Sequence, residues 1–221
     1  VVLPDPSRQP QWDRVKRTLA DFGYALTDRG VRRTRDPIDT MLASSLSKDR
    51  AACDILRVEH GHLGERLRAL VVTDFAEHGN RHGGLIASAG ALRTFEVIVT
   101  DAATQGLRPL LVTGNTARIA VRDADVLIPA LMEVLGVAVA AVPRTESSQV
   151  CELSASGAHA ATFVLAAATL LEAGTIDVVV GTRGLFGEGW DCPAVNTLID
   201  LTAAATTSAT QQLRGRTLRL D

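Results

Sequence analysis

Lysine is nearly absent from this chain: Lys16 and Lys48 are the only two among 23 basic residues. Neither stands in a glycine-rich run. Nothing matches G-x-x-x-x-G-K-[ST], and no Asp-Glu pair closes a hydrophobic strand. The chain therefore offers neither a phosphate-cradling P-loop nor a carboxylate pair for Mg²⁺. Cysteine is scarce as well. Cys53, Cys151 and Cys192 are isolated and odd in number, which excludes a disulfide framework and the paired spacing of a zinc site. Excess charge of either sign is missing: the formal net charge is −2 and the pI about 6.2. No global basic field advertises nucleic-acid binding. No signal peptide and no 18-residue apolar span occurs, and the apolar stretch Ala160 to Leu171 is too short to cross a bilayer. The expectation is a cytoplasmic protein with no membrane partner.

What is present suffices for one α/β domain with an appended segment: 221 residues, 46% hydrophobic and 22% charged. Val1 to Pro10 is proline-rich and reads as extended. Trp12, Val15, Leu19 and Phe22 have helical spacing, so Gln11 to Phe22 reads as an amphipathic helix ended near Gly23. Arg29, Arg32, Arg33 and Arg35 form a basic cluster beside Asp28, Asp36 and Asp39. That cluster is read as a solvated loop or helix face, the alternative being a patch that tracks phosphates. Ser47 to His60 reads as a second helix, with Ser47 as N-cap and Ala51, Ile55 and Val58 facing inward. Residues 1–65 are thus expected to form a helical lead-in, and residues 66–221 the main domain.

From Leu67 onward strands alternate with helices. Leu67 to Asp74, Pro109 to Thr113, Val137 to Val142, Ile176 to Val180 and Asn196 to Leu201 read as strands. Helices are expected within Gly84 to Thr104, Asp123 to Leu135 and Gly157 to Ala173. Thr145 to Ser156 is polar and reads as a hairpin or a disordered loop. This alternation predicts an α/β fold, a mostly parallel sheet covered by helices on both faces. In such sheets ligands gather at the carboxyl ends of the strands. Thr113-Gly114, the Gly181 to Asp191 loop and a final helix from Thr206 to Leu218 are therefore expected to converge on one edge.

The final helix carries a Q-x-x-G-R-x-x-R run, Gln212 to Arg219. On a helix Gln212, Arg216 and Arg219 share one face. Two guanidiniums on one face, with Gly215 admitting a close neighbour, suit a phosphate. The plainer reading is a surface helix end whose arginines offset the dipole. Upstream, Val178-Val179-Val180-Gly181-Thr182 empties into a glycine-rich loop that ends at Asp191-Cys192-Pro193. A dinucleotide fingerprint fails there. Cys192 occupies the place of the third glycine, and Pro193 follows where a helix would continue. His60/His62 and His78/His82 have spacings compatible with metal ligation but read as loop residues, and no metal is expected.

Strand, loop with glycine and acid, strand, then Q-x-x-G-R-x-x-R: this order resembles motifs V and VI of superfamily 2 (DEAD/DEAH-box-like) helicases and translocases. The resemblance is tight over about the last 45 residues and loose back to about Arg66. It implies the second of two RecA-like motor domains. On that likeness Arg216 and Arg219 reach across an interdomain cleft to the γ-phosphate, with Arg216 as the finger. Gln212 arranges the nucleotide and the attacking water. Glu188, Gly189 and Asp191 match the acidic and Gly-x-Asp core of motif V, where the aspartate touches ribose or organises the arginines. Thr182 and Gly181 match the contact to the nucleic-acid backbone, as Thr113 and Gly114 do more loosely. Trp190 stands where an aliphatic residue is commoner, leaving packing and base stacking as alternatives.

The implied function is the C-terminal motor domain of an ATP-dependent helicase or translocase. Its partners would be DNA or RNA and the first RecA-like domain of the same polypeptide, which would hold most of ATP and Mg²⁺. The chain opens on Val1 and stops at Asp221, just beyond the arginines, so it is expected to be a piece of a larger protein, inactive alone. A non-catalytic docking module of the same fold is the alternative. An α/β transferase using a nucleotide-sugar would fit the sheet but leaves the arginine run without a purpose.

Overall fold

A computed structural model of the chain describes residues 9–21, 24–27, 30–33, 45–79, 88–144, 147–157, 159–186 and 190–202. The chain divides into two compact units, residues 1–42 and 43–221. In the first, helix α1 (Gln9–Asp21) is followed by strands β1 (Tyr24–Thr27) and β2 (Gly30–Arg33), which pair as an antiparallel hairpin. The hairpin is an addition to the helical lead-in expected there. Arg32 and Arg33 belong to β2, while Arg29 and Arg35 lie outside the described residues.

The second unit is an α/β sandwich, as the alternation predicts, and is consistent with the RecA-like arrangement that the resemblance implies. It begins with α2 (Leu46–Leu63), followed by β3 (Ala69–Thr73) and a short pair, β4 (His78–Gly79) and β5 (Ser88–Ala89). Then come α3 (Ala91–Thr100), β6 (Pro109–Val112), β7 (Ala117–Ala120), α4 (Ala124–Leu135), β8 (Val139–Arg144) and β9 (Ser147–Ala155). The unit closes with α5 (Ala160–Glu172), β10 (Val178–Thr182), the single turn α6 (Arg183–Phe186) and β11 (Thr197–Asp200). The main sheet has seven strands in the order β11-β3-β10-β6-β7-β9-β8. Its first four strands are mutually parallel, and the last three pairings are antiparallel. β10 thus enters late in the chain and fills the place between β3 and β6.

The parallel half forms because its strands are apolar on both faces. Leu70, Val72, Leu110, Val112 and Val179 pack with Leu127, Phe163 and Leu170 from α4 and α5. Val71, Leu111, Val178 and Val180 pack on the other side with Leu56 of α2 and Phe95 and Ile98 of α3. Each fully buried Val, Leu, Ile or Phe contributes about 1.5–3 kcal/mol. Uninterrupted apolar runs are what a sheet covered on both faces requires.

Helix α2 departs from expectation in two respects. It is N-capped at Ser45 rather than Ser47, and the buried stripe is Asp49, Ala52, Cys53 and Leu56. Ala51, Ile55 and Val58 are exposed, the last two at 42% and 44%. The helix is rotated because Asp49 is drawn inward. Its carboxylate accepts from Arg93 Nε at 2.7 Å and from Thr94 Oγ1 at 2.6 Å. These two polar contacts satisfied in the interior outweigh the burial of one more aliphatic face, since an unpaired buried charge is among the costliest defects a fold can carry.

Strand β7 was not read as such from the sequence, and of the two alternatives for Thr145 to Ser156 the structure shows the hairpin, with β9 paired to β8. β7 carries a buried Arg118, which lies 3.9 Å from Glu96 of α3 and 3.6 Å from Glu152 of β9. Glu152 is also paired with Arg144 of β8. A charge network of this kind makes a core strand look like a surface loop.

Candidate functional site

Four parallel strands end at one edge of the sheet, and β9, running the same way, ends there too. β6 gives way to a tight turn. Thr113 N donates to Thr116 O at 2.8 Å, and Thr113 Oγ1 donates to the same carbonyl at 3.3 Å while accepting from Thr116 N at 3.2 Å. Thr113 is buried and consumed in holding the turn; Gly114 and Asn115 project from it exposed. Among the described residues, a Cβ on Gly114 would meet nothing within 4 Å. No packing among them demands glycine at that position, and its bare backbone suits a group arriving from outside.

A cavity of about 320 Å³ lies beside this turn, bounded by Gly114, Asn115, Ser154, His159 and Ala160. His159 and Ala160 are the start of the 13-residue helix α5, whose positive end therefore faces the cavity. His159 N donates to Thr162 Oγ1 at 3.4 Å. Backbone amides at a helix start beside an open glycine turn make an anion-accepting corner. Ser154 and His159 carry no motif in the sequence; the fold brings them beside the Gly114 turn.

One strand over, β10 ends in Gly181 and Thr182. Gly181 lies in register with Val112, and Thr182 with Thr73. Gly181 differs from Gly114: a Cβ there would meet Phe186 Cε2 at 2.2 Å and Val112 O at 2.7 Å. The close approach at this glycine is made by the Phe186 ring and the adjacent strand. Gly181→Ala is expected to lower stability by about 1–3 kcal/mol through overpacking, measured by chemical denaturation of the isolated chain.

Beyond Thr182, Arg183 turns toward β11. Its Nη1 donates to Thr202 Oγ1 at 3.3 Å. Thr202 in turn donates its hydroxyl to Asp200 Oδ1 at 2.6 Å, and its amide to the same oxygen at 3.0 Å. Lys48 Nζ of α2 reaches Leu201 O at 3.1 Å. Sequence reasoning singled out none of these four groups. Lys48 and Leu201 are 153 residues apart, and only the fold brings them together.

The edge thus gathers Thr113, Gly114, Gly181 and Thr182 on neighbouring strands. Asp191 is exposed on the same connection as Thr182. Glu188, Gly189, Gln212, Arg216 and Arg219 lie outside the described residues. Trp190 is buried at 4% exposure; its Nε1 donates to Val164 O at 3.3 Å, and it meets Phe186 edge-on at 4.9 Å between ring centroids. Of its two alternative roles, the geometry is that of packing. All three cysteines are buried. Burial pushes the Cys53 thiol up to about 12, with nearby Asp101 adding to it, and raises Cys151 and Cys192 as well. Thiols so placed are not nucleophiles at neutral pH. Among the described residues no three His, Cys, Asp or Glu side chains cluster as a metal site, and no helix is long and apolar enough to cross a membrane.

The opposite edge is structural. Asp177 accepts from Arg108 N at 2.9 Å, and Arg122 donates to Val99 O and Leu107 O. Asp123 is the exception there. Burial raises its carboxyl, and Asp177 adds to the rise, while Arg122 and Arg108 oppose it. A carboxyl raised in the folded state binds its proton more tightly folded than unfolded. Stability is therefore gained as pH falls from the raised value toward the ordinary 3.8, and the penalty is fully present above that window. Asp123→Asn should raise Tm at pH 7, with the gain shrinking as the pH is lowered toward 4, followed by thermal melts across that range.

No protein-family model, no curated protein and no solved structure matches this chain.

Proposed function

We propose that the chain is the C-terminal RecA-like motor domain of an ATP-dependent nucleic-acid helicase or translocase. In this reading ATP and Mg²⁺ are held mainly by a first motor domain carrying the P-loop. This chain contributes Arg216 and Arg219, with Gln212, to the shared site. The observation that supports the reading best is the carboxyl edge of the sheet. The Gly114 turn, the start of α5 and Thr182 lie together there, on neighbouring elements, and in this reading they accept successive phosphates.

The chemistry follows from what each group can do. The open Gly114 turn and the amino end of α5 offer N–H donors and positive potential to a phosphodiester backbone. Such contacts read no bases, which suits a motor that must step along any sequence. Arg216 supplies charge where the transferring phosphoryl group accumulates it, and Arg219 holds a phosphate or a carboxylate of the first domain. Asp191, exposed on the connection between Thr182 and β11, would touch ribose or organise the arginines in this reading. Hydrolysis and release would alternately close and open the cleft, and nucleic acid gripped across both domains would move.

The test is ATP hydrolysis by the full-length parent protein, alone and with single-stranded DNA or RNA. Turnover stimulated by one of them supports the motor and names its track. Absence of turnover under every condition would exclude it in favour of the docking module.

A further inference from the structure

Resting on that reading, we propose that Lys48 and Arg183 are positioning residues that fix the path by which the chain leaves β11 toward Gln212, Arg216 and Arg219. The exit from β11 is held more firmly than a strand end needs. Leu201 N donates to Val72 O at 2.9 Å, continuing the ladder with β3. The carbonyl of the same residue is taken by the Lys48 ammonium at 3.1 Å. Both sides of that residue are therefore tied, one to the sheet and the other to α2.

The next residue is held by a directional relay. Thr202 has a single hydroxyl proton, and it goes to Asp200 Oδ1 at 2.6 Å. Its lone pairs then face the Arg183 guanidinium, 3.3 Å away. The Thr202 amide closes a turn on the same carboxylate oxygen at 3.0 Å, so Asp200 fixes the backbone and the hydroxyl together. Ordering two long cationic side chains costs conformational entropy. Neither is needed merely to end a strand, for which the Asp200 turn suffices.

The two cations come from different places, and that gives the clasp its consequence. Arg183 follows Thr182 directly, so it joins that part of the edge to Thr202 at the exit from β11. Lys48 belongs to α2 and ties Leu201 to it. A shift at Thr182 is passed to Thr202 through one side chain, while Lys48 keeps Leu201 in place. Arginines that act only in the transition state are sensitive to such placement, and a displacement of about 1 Å can cost on the order of 10² in rate.

The experiment uses the full-length parent with Lys48→Met, Lys48→Arg, Arg183→Met and Thr202→Val, the last removing only the bridging hydroxyl. Backbone hydrogen exchange over residues 200–204 and nucleic-acid-stimulated ATP hydrolysis are measured on each, with Tm as a check on folding. Lys48→Met, Arg183→Met and Thr202→Val are expected to speed exchange at Leu201 and Thr202. They should lower kcat by about ten- to a hundredfold while KM for ATP stays within about twofold. Lys48→Arg retains a donor and should recover most of the rate. Unchanged exchange, or an unchanged kcat in folded variants of an active protein, would overturn the clasp. Should the wild type hydrolyse no ATP, the motor reading fails and with it the positioning role, whatever the exchange rates. Faster exchange would then show only a structural tie.

Discussion

Arg216→Ala in the full-length parent is expected to reduce ATP turnover by about 10³- to 10⁵-fold. The effect is this large because an arginine finger acts where charge develops on the transferring phosphoryl group, in a site from which water is excluded. Such an interaction is weak in the ground state, so KM for ATP should change far less than kcat. The fold should be unaffected. Among the described residues the two core clusters are built from positions between Ala52 and Ile199, upstream of the terminal run. Circular dichroism and thermal melting of the variant should therefore superimpose on the wild type. Arg219→Ala leaves the finger in place but removes the guanidinium that holds a phosphate or a carboxylate of the first domain, so a smaller loss is expected. Turnover indifferent to Arg216 would mean that the terminal run is only a charged helix end.

Trp190→Ala is expected to cost about 3–5 kcal/mol of stability, the range for deleting a large aromatic from a packed interior. Trp190 loses contact with Phe186, leaves Val164 O without its indole donor, and opens a void beside Cys192 and Val195. Urea denaturation measures the loss, and Trp190→Phe should recover much of it by refilling the space without the N–H. The same burial makes a spectroscopic statement. With Trp12 replaced by Phe, the remaining tryptophan should emit at short wavelength and stay unquenched when single-stranded nucleic acid is added. Quenching by stacked bases would show instead that Trp190 is a binding residue and that the 186–195 connection opens in solution.

The parallel strands were legible because they obey a simple physical rule. Leu70 to Val72, Leu110 to Val112 and Val178 to Val180 are apolar on both sides since both sides are covered. The helices α3, α4 and α5 followed from length and periodicity. β7 was not legible. Arg118 at its centre is tolerated only because Glu96 and Glu152 arrive from α3 and β9, and no local window contains that information. β9 was half legible: its serines, glutamine and glutamate left a hairpin and a loop as alternatives, and pairing with β7 and β8 decides for the hairpin. The rotation of α2 has a similar origin. Asp49 points inward to reach Arg93 and Thr94, partners more than forty positions on. Local pattern assigns a face by apolarity, whereas the fold assigned this one by a buried ion pair.

The candidate site was legible in part. Thr113, Gly114, Gly181 and Thr182 were expected to share an edge, and they do, because a parallel sheet delivers all its carboxyl ends to one place. What each glycine is for could not be read from the letters. Gly181 makes room for Phe186, and Gly114 makes room for nothing among the described residues. Lys48, Arg183, Asp200 and Thr202 escaped notice since their meaning lies in pairings across the fold, not in spacing.

The late entry of β10 between β3 and β6 has a consequence for synthesis. While the ribosome is still upstream of Val178, β3 and β6 each lack the neighbour that fills the middle of the ladder. Their inner margins, with amides and carbonyls unmatched and valines and leucines uncovered, must wait in that condition. Long-range parallel pairing of this sort is slow and invites pairing with other chains in the interval. Holdase binding to such a nascent chain is expected to persist until β10 emerges. Fragments that stop short of Thr182 should accumulate as insoluble material rather than as a smaller domain.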